Sequence, residues 1–144
     1  MAPIEIKYFD HDGAVSVLET VGLISEISDI LHGIVEIDHR KIQQAFKAKG
    51  WQTQKHILPE TNWAWDACKD RVVVSIEFSL IDAVHRDFFR FLMWHLDGKL
   101  DAAVYITTTF KEPKFHNVRG DIEICAKKYP TLLPFPILLV GLGK

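Results

Sequence analysis

The sequence predicts an α/β fold, a mixed sheet flanked by helices on both faces, in a single domain spanning residues 1–144. Three observations carry this reading. The run from Val72 to Ser79 alternates as a strand does, with Val72, Val74, Ile76 and Phe78 on one side and Val73, Ser75, Glu77 and Ser79 on the other. DAAVYITTT (101–109) and PILLVGL (136–142) are nearly continuous apolar or β-branched runs, which suit strands covered on both faces. Stretches with helical periodicity separate these three strands, the order that crossover connections produce.

Taken in order, IEIKYFD (4–10) alternates like a short strand or extended arm, and HDG (11–13) makes a turn. From Val15 to Leu31 the apolar residues Val15, Leu18, Val21, Ile24, Ile27 and Leu31 predict one amphipathic helix, stopped by Gly33. Asp38 is placed to N-cap a second helix through Lys49, with Ile42, Ala45 and Phe46 inward, its cations outward and Gly50 just past its end. These early helices cover about 15–49 and the remaining core about 50–142. A short polar strand at Gln54–Leu58 and a Pro-Glu turn lead into a hairpin from Asn62 to Ser79. Its first strand ends near Asp66 and its turn runs through Lys69, Asp70 and Arg71. In 80–98 a long helix ended by Gly98 is predicted to bury Ala83, Val84, Phe88, Phe91, Leu92 and His95, with Asp82, Arg86, Asp87 and Arg90 opposite. KEPKFHN (111–117) reads as a loop and Val118–Tyr129 as a short helix.

A hydrophobic content of 48% is enough for one sizeable core. No apolar run reaches the roughly 18 residues of a membrane span, and no leading stretch has the make-up of a secretory signal, so a soluble, cytoplasmic protein is expected. Cys68 and Cys125 have no metal-ligand spacing and read as reduced, structural thiols. The net charge of -2 does not point to a polyanion partner, but its distribution does. Residues 1–39 hold eight acids against Lys7 alone, whereas 40–55 holds five cations (Arg40, Lys41, Lys47, Lys49, Lys55) and no acid. Such a patch suits a phosphate backbone; a solvated helix face would look the same.

Hydrolysing a phosphodiester requires charge to be neutralised on the phosphoryl oxygens and a water to be made nucleophilic, which hard divalent cations on carboxylates provide. Asp66 at a strand end and Glu77 on the neighbouring strand are the candidate carboxylates. Spacing alone is a weak signal, because acids flank many exposed hairpins. Glu19 or Glu26 is a candidate third acid, although most surface acids are simply solvated. Trp63 and Trp65 flank the same strand, where packing outweighs base stacking. His39 and His85 lack zinc-ligand spacing, and the terminal GLGK is no phosphate loop, since no helix follows it.

The hairpin resembles the active-site hairpin of the BglII-like restriction endonucleases, a branch of the PD-(D/E)xK nuclease superfamily. The matching residues are Asp66, Lys69, Val72, Val73, Val74, Ser75-Ile76-Glu77, Phe78 and Ser79. The similarity continues through the following helix, DAAVYITTT and FPILLVGL, over roughly residues 50–142. It implies a restriction-endonuclease-like fold and Mg²⁺-dependent (Mn²⁺ as a possible substitute), site-specific hydrolysis of duplex DNA. Asp66 stands at the family's metal-binding Asp. Ser75 stands where the family has its second metal-binding carboxylate, and Glu77 where it has a neutral Gln that helps place the attacking water. The two carboxylates of the family pattern are therefore kept in number and displaced in position. Residues i and i+2 on a strand lie about 6.6–6.8 Å apart, a distance that a Glu side chain spans only in part.

The expected catalytic set is thus Asp66, Ser75 and Glu77, with Asp66 and Glu77 on the metal. Lys41, Lys47, Lys49 and Lys69, with Lys114, His116, Asn117 and Arg119 around the 111–119 loop, are the expected DNA contacts. Cutting both strands of a symmetric site implies a homodimer. The rival expectation is a catalytically silent nuclease fold that binds DNA or a protein partner, because Ser75 replaces the catalytic Glu.

Overall fold

A computed structural model describes residues 3–144. Five strands form the main sheet in the order β1-β7-β6-β5-β4: β1 (Glu5–His11), β4 (Ala67–Lys69), β5 (Val72–Ile76), β6 (Ala102–Thr108) and β7 (Ile137–Gly143). β5, β6 and β7 run parallel, while β1 and β4 close the two edges antiparallel. Parallel strands need long crossovers, and α4 (Ala83–Leu96) and α5 (Phe115–Lys128) supply them. Every residue of β5, β6 and β7 is buried, as their unbroken apolar runs require.

The alternation in β5 sorts the core into two layers. Val72, Val74 and Ile76 join Ala102, Val104, Ile106 and Val140 beneath α1 (Ala14–Thr20), α2 (Ile24–His32) and α3 (His39–Ala48). Val73 joins Ala103, Tyr105, Ile137 and Leu139 beneath α4 and α5. Helices therefore cover both faces of a mixed sheet, as expected from the sequence.

Several boundaries differ. The single helix expected over Val15–Leu31 is two helices, because Gly22 adopts φ +77° and turns the chain between them. The polar strand expected at 54–58 shrinks to β2 (Lys55–His56), which pairs with β3 (Ala64–Trp65) in a separate two-stranded sheet. The hairpin strand continues past Asp66 as β4, and the turn lies at Asp70, whose φ is +54°. α5 starts at Phe115 instead of Val118, placing His116 and Asn117 in its first turn. Asp87 lies on the buried side of α4, not the outer one.

Candidate active site

Asp66 sits where the β4–β5 ladder gives way. Ala67 pairs with Val74, so Asp66 and Ser75 are the next residues along the two strands. The Asp66 N–H still donates to the Val74 carbonyl, at 3.1 Å. The Ile76 N–H instead donates to Asp66 Oδ2 at 2.6 Å, so the carboxylate takes a place that a main-chain carbonyl would otherwise fill.

α3 fixes the other side of Asp66. Asp38 N-caps this helix, accepting from the Lys41 N–H at 2.9 Å. One turn of spacing then puts His39 and Gln43 on the same face. Gln43 Nε2 donates to the Asp66 carbonyl at 2.9 Å, and His39 Nε2 lies 3.0 Å from Asp66 Oδ1. The hydrogen bond to Asp66 raises the His39 pKa; burial opposes this, and the charges of Asp66, Glu77 and Asp38 add to it. The Asp66 carboxylate thus favours the protonated form of His39 more than water would. From the sequence His39 was weighed only as a zinc ligand and set aside, and Gln43 was not singled out, although their i,i+4 spacing on a capped helix beside the hairpin was the available signal.

Ser75 is buried on the α4 side of β5, in register with Tyr105 of β6. Glu77 lies two residues on, with its side chain mostly enclosed. Its Oε2 accepts from the N–H groups of Ser79 and Leu80, both at 3.2 Å, and Oε1 is 3.8 Å from Arg86 Nη2. Glu77 thus closes the turn into α4. Beneath it, Tyr105 Oη donates to Asp87 Oδ2 at 3.0 Å, and Arg86 Nη2 lies 3.3 Å from Asp87 Oδ1. Burial pushes the Asp87 carboxyl up to about 6, against the charge of Arg86 and the Tyr105 hydrogen bond and with help from Glu77. Burial, followed by the negative charge of Asp87, also pushes Tyr105 up. The sequence hid this cluster because charged residues on a helix normally face water.

The other expected contacts are dispersed. Lys69 Nζ bonds both Glu26 oxygens at 3.0 and 3.1 Å and the Lys49 carbonyl at 3.1 Å, tying β4 to α2 and to the end of α3. Trp51 Nε1 also donates to Glu26, at 2.8 Å. Burial pushes the Glu26 pKa up, but these two partners more than offset it, so the carboxyl is held low overall. Glu26 therefore reaches the hairpin at Lys69, not at Asp66. Lys41 pairs with Glu36, while Lys47 and Lys49 are exposed on the last turn of α3 and just beyond it. On the α5 side, Asn117 Nδ2 donates to Glu112 at 3.3 Å, and Arg119 pairs with Glu123 at 3.0 Å while lying over Phe9. Lys114 precedes α5, and His116 is exposed on its first turn. Trp65 is buried against Phe91 and Trp94, and Trp63 lies under the Arg90 guanidinium. Both therefore pack, as expected.

Mg²⁺ takes oxygen ligands, commonly one or two carboxylates completed by water and substrate phosphate. Asp66, a carboxylate at a sheet edge, fits that chemistry. Among the described residues no three His, Cys, Asp or Glu side chains form a metal cage, and Glu77 faces Arg86 and its own turn. Asp66 is therefore, among these residues, the one carboxylate placed to hold a cation at this end of the hairpin.

Solved structures of similar fold include the crystal structure of the restriction endonuclease BglII complexed with a DNA 16-mer. It matches at TM-score 0.83 and 17% identity over 97% of this chain and 77% of that one. No curated protein sequence matches. A sequence profile described as "Restriction endonuclease BglII/BglIII" matches residues 6–142. Coverage of nearly the whole chain, joined to the shared fold, shows that the chain belongs to the BglII/BglIII restriction endonuclease family.

Proposed function

We propose that the chain is a divalent-metal-dependent, site-specific endodeoxyribonuclease that hydrolyses phosphodiesters of duplex DNA as a homodimer, with Asp66 as the principal metal ligand. The observation that carries this reading is the fixed position of the Asp66 carboxylate, held by the Ile76 N–H at the open end of the β4–β5 ladder and faced by His39. A cation bound there supplies charge neutralisation at the phosphoryl oxygens and a more acidic water. The chain's own residues do the positioning. Ile76 and Gln43 hold Asp66 from two sides, and Glu77, fixed by the turn and Arg86, adds negative charge at the end of the same strand. The cations at Lys47, Lys49, Lys114 and Arg119 are surface groups suited to phosphate contact, and His116 and Asn117 in the first turn of α5 are suited to base edges. Lys41, Lys69, Arg119 and Asn117 would first have to leave Glu36, Glu26, Glu123 and Glu112. Exposed Phe89, Ile124 and Leu132 surround a groove between α4 and α5 and offer apolar surface for a second copy of the chain.

Cleavage of a mixed-sequence plasmid in Mg²⁺ and in Mn²⁺, with DNA binding and sedimentation measured in parallel, tests this. Asp66→Ala is expected to abolish cutting and leave duplex binding in place. Equal cutting by Asp66→Ala would remove the carboxylate from the mechanism, and a monomer on DNA would remove the dimer.

A second reading rests on one observation: Ser75, which the sequence resemblance puts at the family's carboxylate position, is a buried hydroxyl, while Glu77 is held by the 79–80 amides. In that case the chain binds duplex DNA without cutting it. Salt-sensitive DNA binding with no cleavage in either metal would favour that reading.

A further inference from the structure

We propose that His39 is a metal ligand partnered with Asp66, so that this site selects a first-row transition cation of the Mn²⁺ class over Mg²⁺. The proposal rests on Asp66 being the metal-holding carboxylate and adds the identity of its partner. Two donors bound at right angles to one octahedral ion at about 2.1 Å lie about 3 Å apart, and His39 Nε2 and Asp66 Oδ1 are separated by 3.0 Å. The length of this direct contact therefore equals one edge of a coordination octahedron, so an ion replacing the shared proton could take both atoms as ligands without moving them apart.

Each donor is also fixed from behind. Asp66 is held by the Ile76 N–H and its carbonyl by Gln43, while His39 sits in the first turn of a helix that begins at the Asp38 cap. Gln43 and His39 come from the same helix, so α3 positions the imidazole and the carboxylate together. The half-exposed His39 and the partly exposed Asp66 leave solvent access for an entering ion and its waters.

The ligand types set the preference. Mg²⁺ favours oxygen donors, whereas imidazole nitrogen binds transition ions well. Asp66 supplies a hard oxygen donor and His39 a nitrogen donor beside it, while Ser75 carries no carboxylate, so the site is a mixed oxygen and nitrogen one.

Calorimetric titration of Mn²⁺ and of Mg²⁺ into the full chain bound to a short duplex, combined with pulsed EPR of the Mn²⁺ complex, tests this for the native chain, His39→Gln and Asp66→Asn. The native chain is expected to show nitrogen modulation from a directly bound imidazole, absent in His39→Gln. His39→Gln is expected to weaken Mn²⁺ at least tenfold while changing Mg²⁺ less than twofold. If Asp66→Asn abolishes Mn²⁺ binding but the native complex shows no nitrogen coupling, the role of His39 is overturned while Asp66 keeps its place. If Asp66→Asn binds Mn²⁺ as the native chain does, both assignments fall. The native EPR signal needs no variant, so a poorly folded substitution does not obscure the result.

Discussion

Replacing Asp87 by Asn should remove a pH dependence built into the sheet–helix layer. In the folded protein burial lifts the Asp87 carboxyl from 3.8 to about 6, whereas the unfolded chain ionises near the ordinary value. Between those values the folded state holds a proton that the unfolded state has lost. The stabilisation from this group is therefore fully present below about pH 4 and is lost as pH rises through about 6. At about 1.4 kcal/mol per pKa unit, the loss amounts to about 3 kcal/mol. Asn cannot ionise, and its side-chain oxygen can still accept from Tyr105. The stability of Asp87→Asn relative to the native chain should thus rise by about 3 kcal/mol between about pH 3.5 and pH 7. Urea unfolding of both proteins across that range measures the difference without requiring either absolute value. A difference that stays flat with pH would show that Asp87 is not held protonated by burial. Glu77→Gln should shrink the effect, because Glu77 adds to the upward push on Asp87.

Three further outcomes are expected. Ser75→Glu places a third carboxylate beside Glu77 and Asp87; cleavage should appear if the native chain is silent and change little if Glu77 already serves, and plasmid nicking reads the result. Gly141→Ala puts a Cβ 2.7 Å from Phe115 Cβ, so α5 must shift away from β7, and chemical denaturation should show a loss of about 1–3 kcal/mol. Asp38→Ala removes the cap of α3 at a cost of about 1 kcal/mol, and the His39–Asp66 contact should loosen with it, visible as a histidine resonance shift.

Much of the fold is legible because burial and periodicity coincide. β5, β6 and β7 are wholly buried, and their sequences carry the unbroken apolar or alternating runs that such strands need. Asp38 and Gly50 mark the ends of α3 because each has a local job, one accepting the Lys41 N–H and the other adopting φ +89°. Gly22 was hidden inside an apolar stripe that continues in phase across the break, so periodicity did not register the turn. The place of Asp66 at the break in the hairpin strand was legible from the sequence. His39, Gln43 and Asp87 were not. Their roles come from tertiary approach: α3 lies against the strand end, and Tyr105, thirty residues from Ser75 in the chain, reaches Asp87 across the sheet face. A charged or polar side chain facing inward breaks the amphipathic rule used to orient a helix, and only the three-dimensional partner explains it.

The most direct measurement of the central claim is an anomalous difference map from crystals of the protein with duplex DNA and Mn²⁺. The account predicts a peak about 2–2.5 Å from an Asp66 carboxylate oxygen, on the side now faced by His39. Asp66 still bonded to His39, with Mn²⁺ elsewhere or nowhere on the protein, would contradict it.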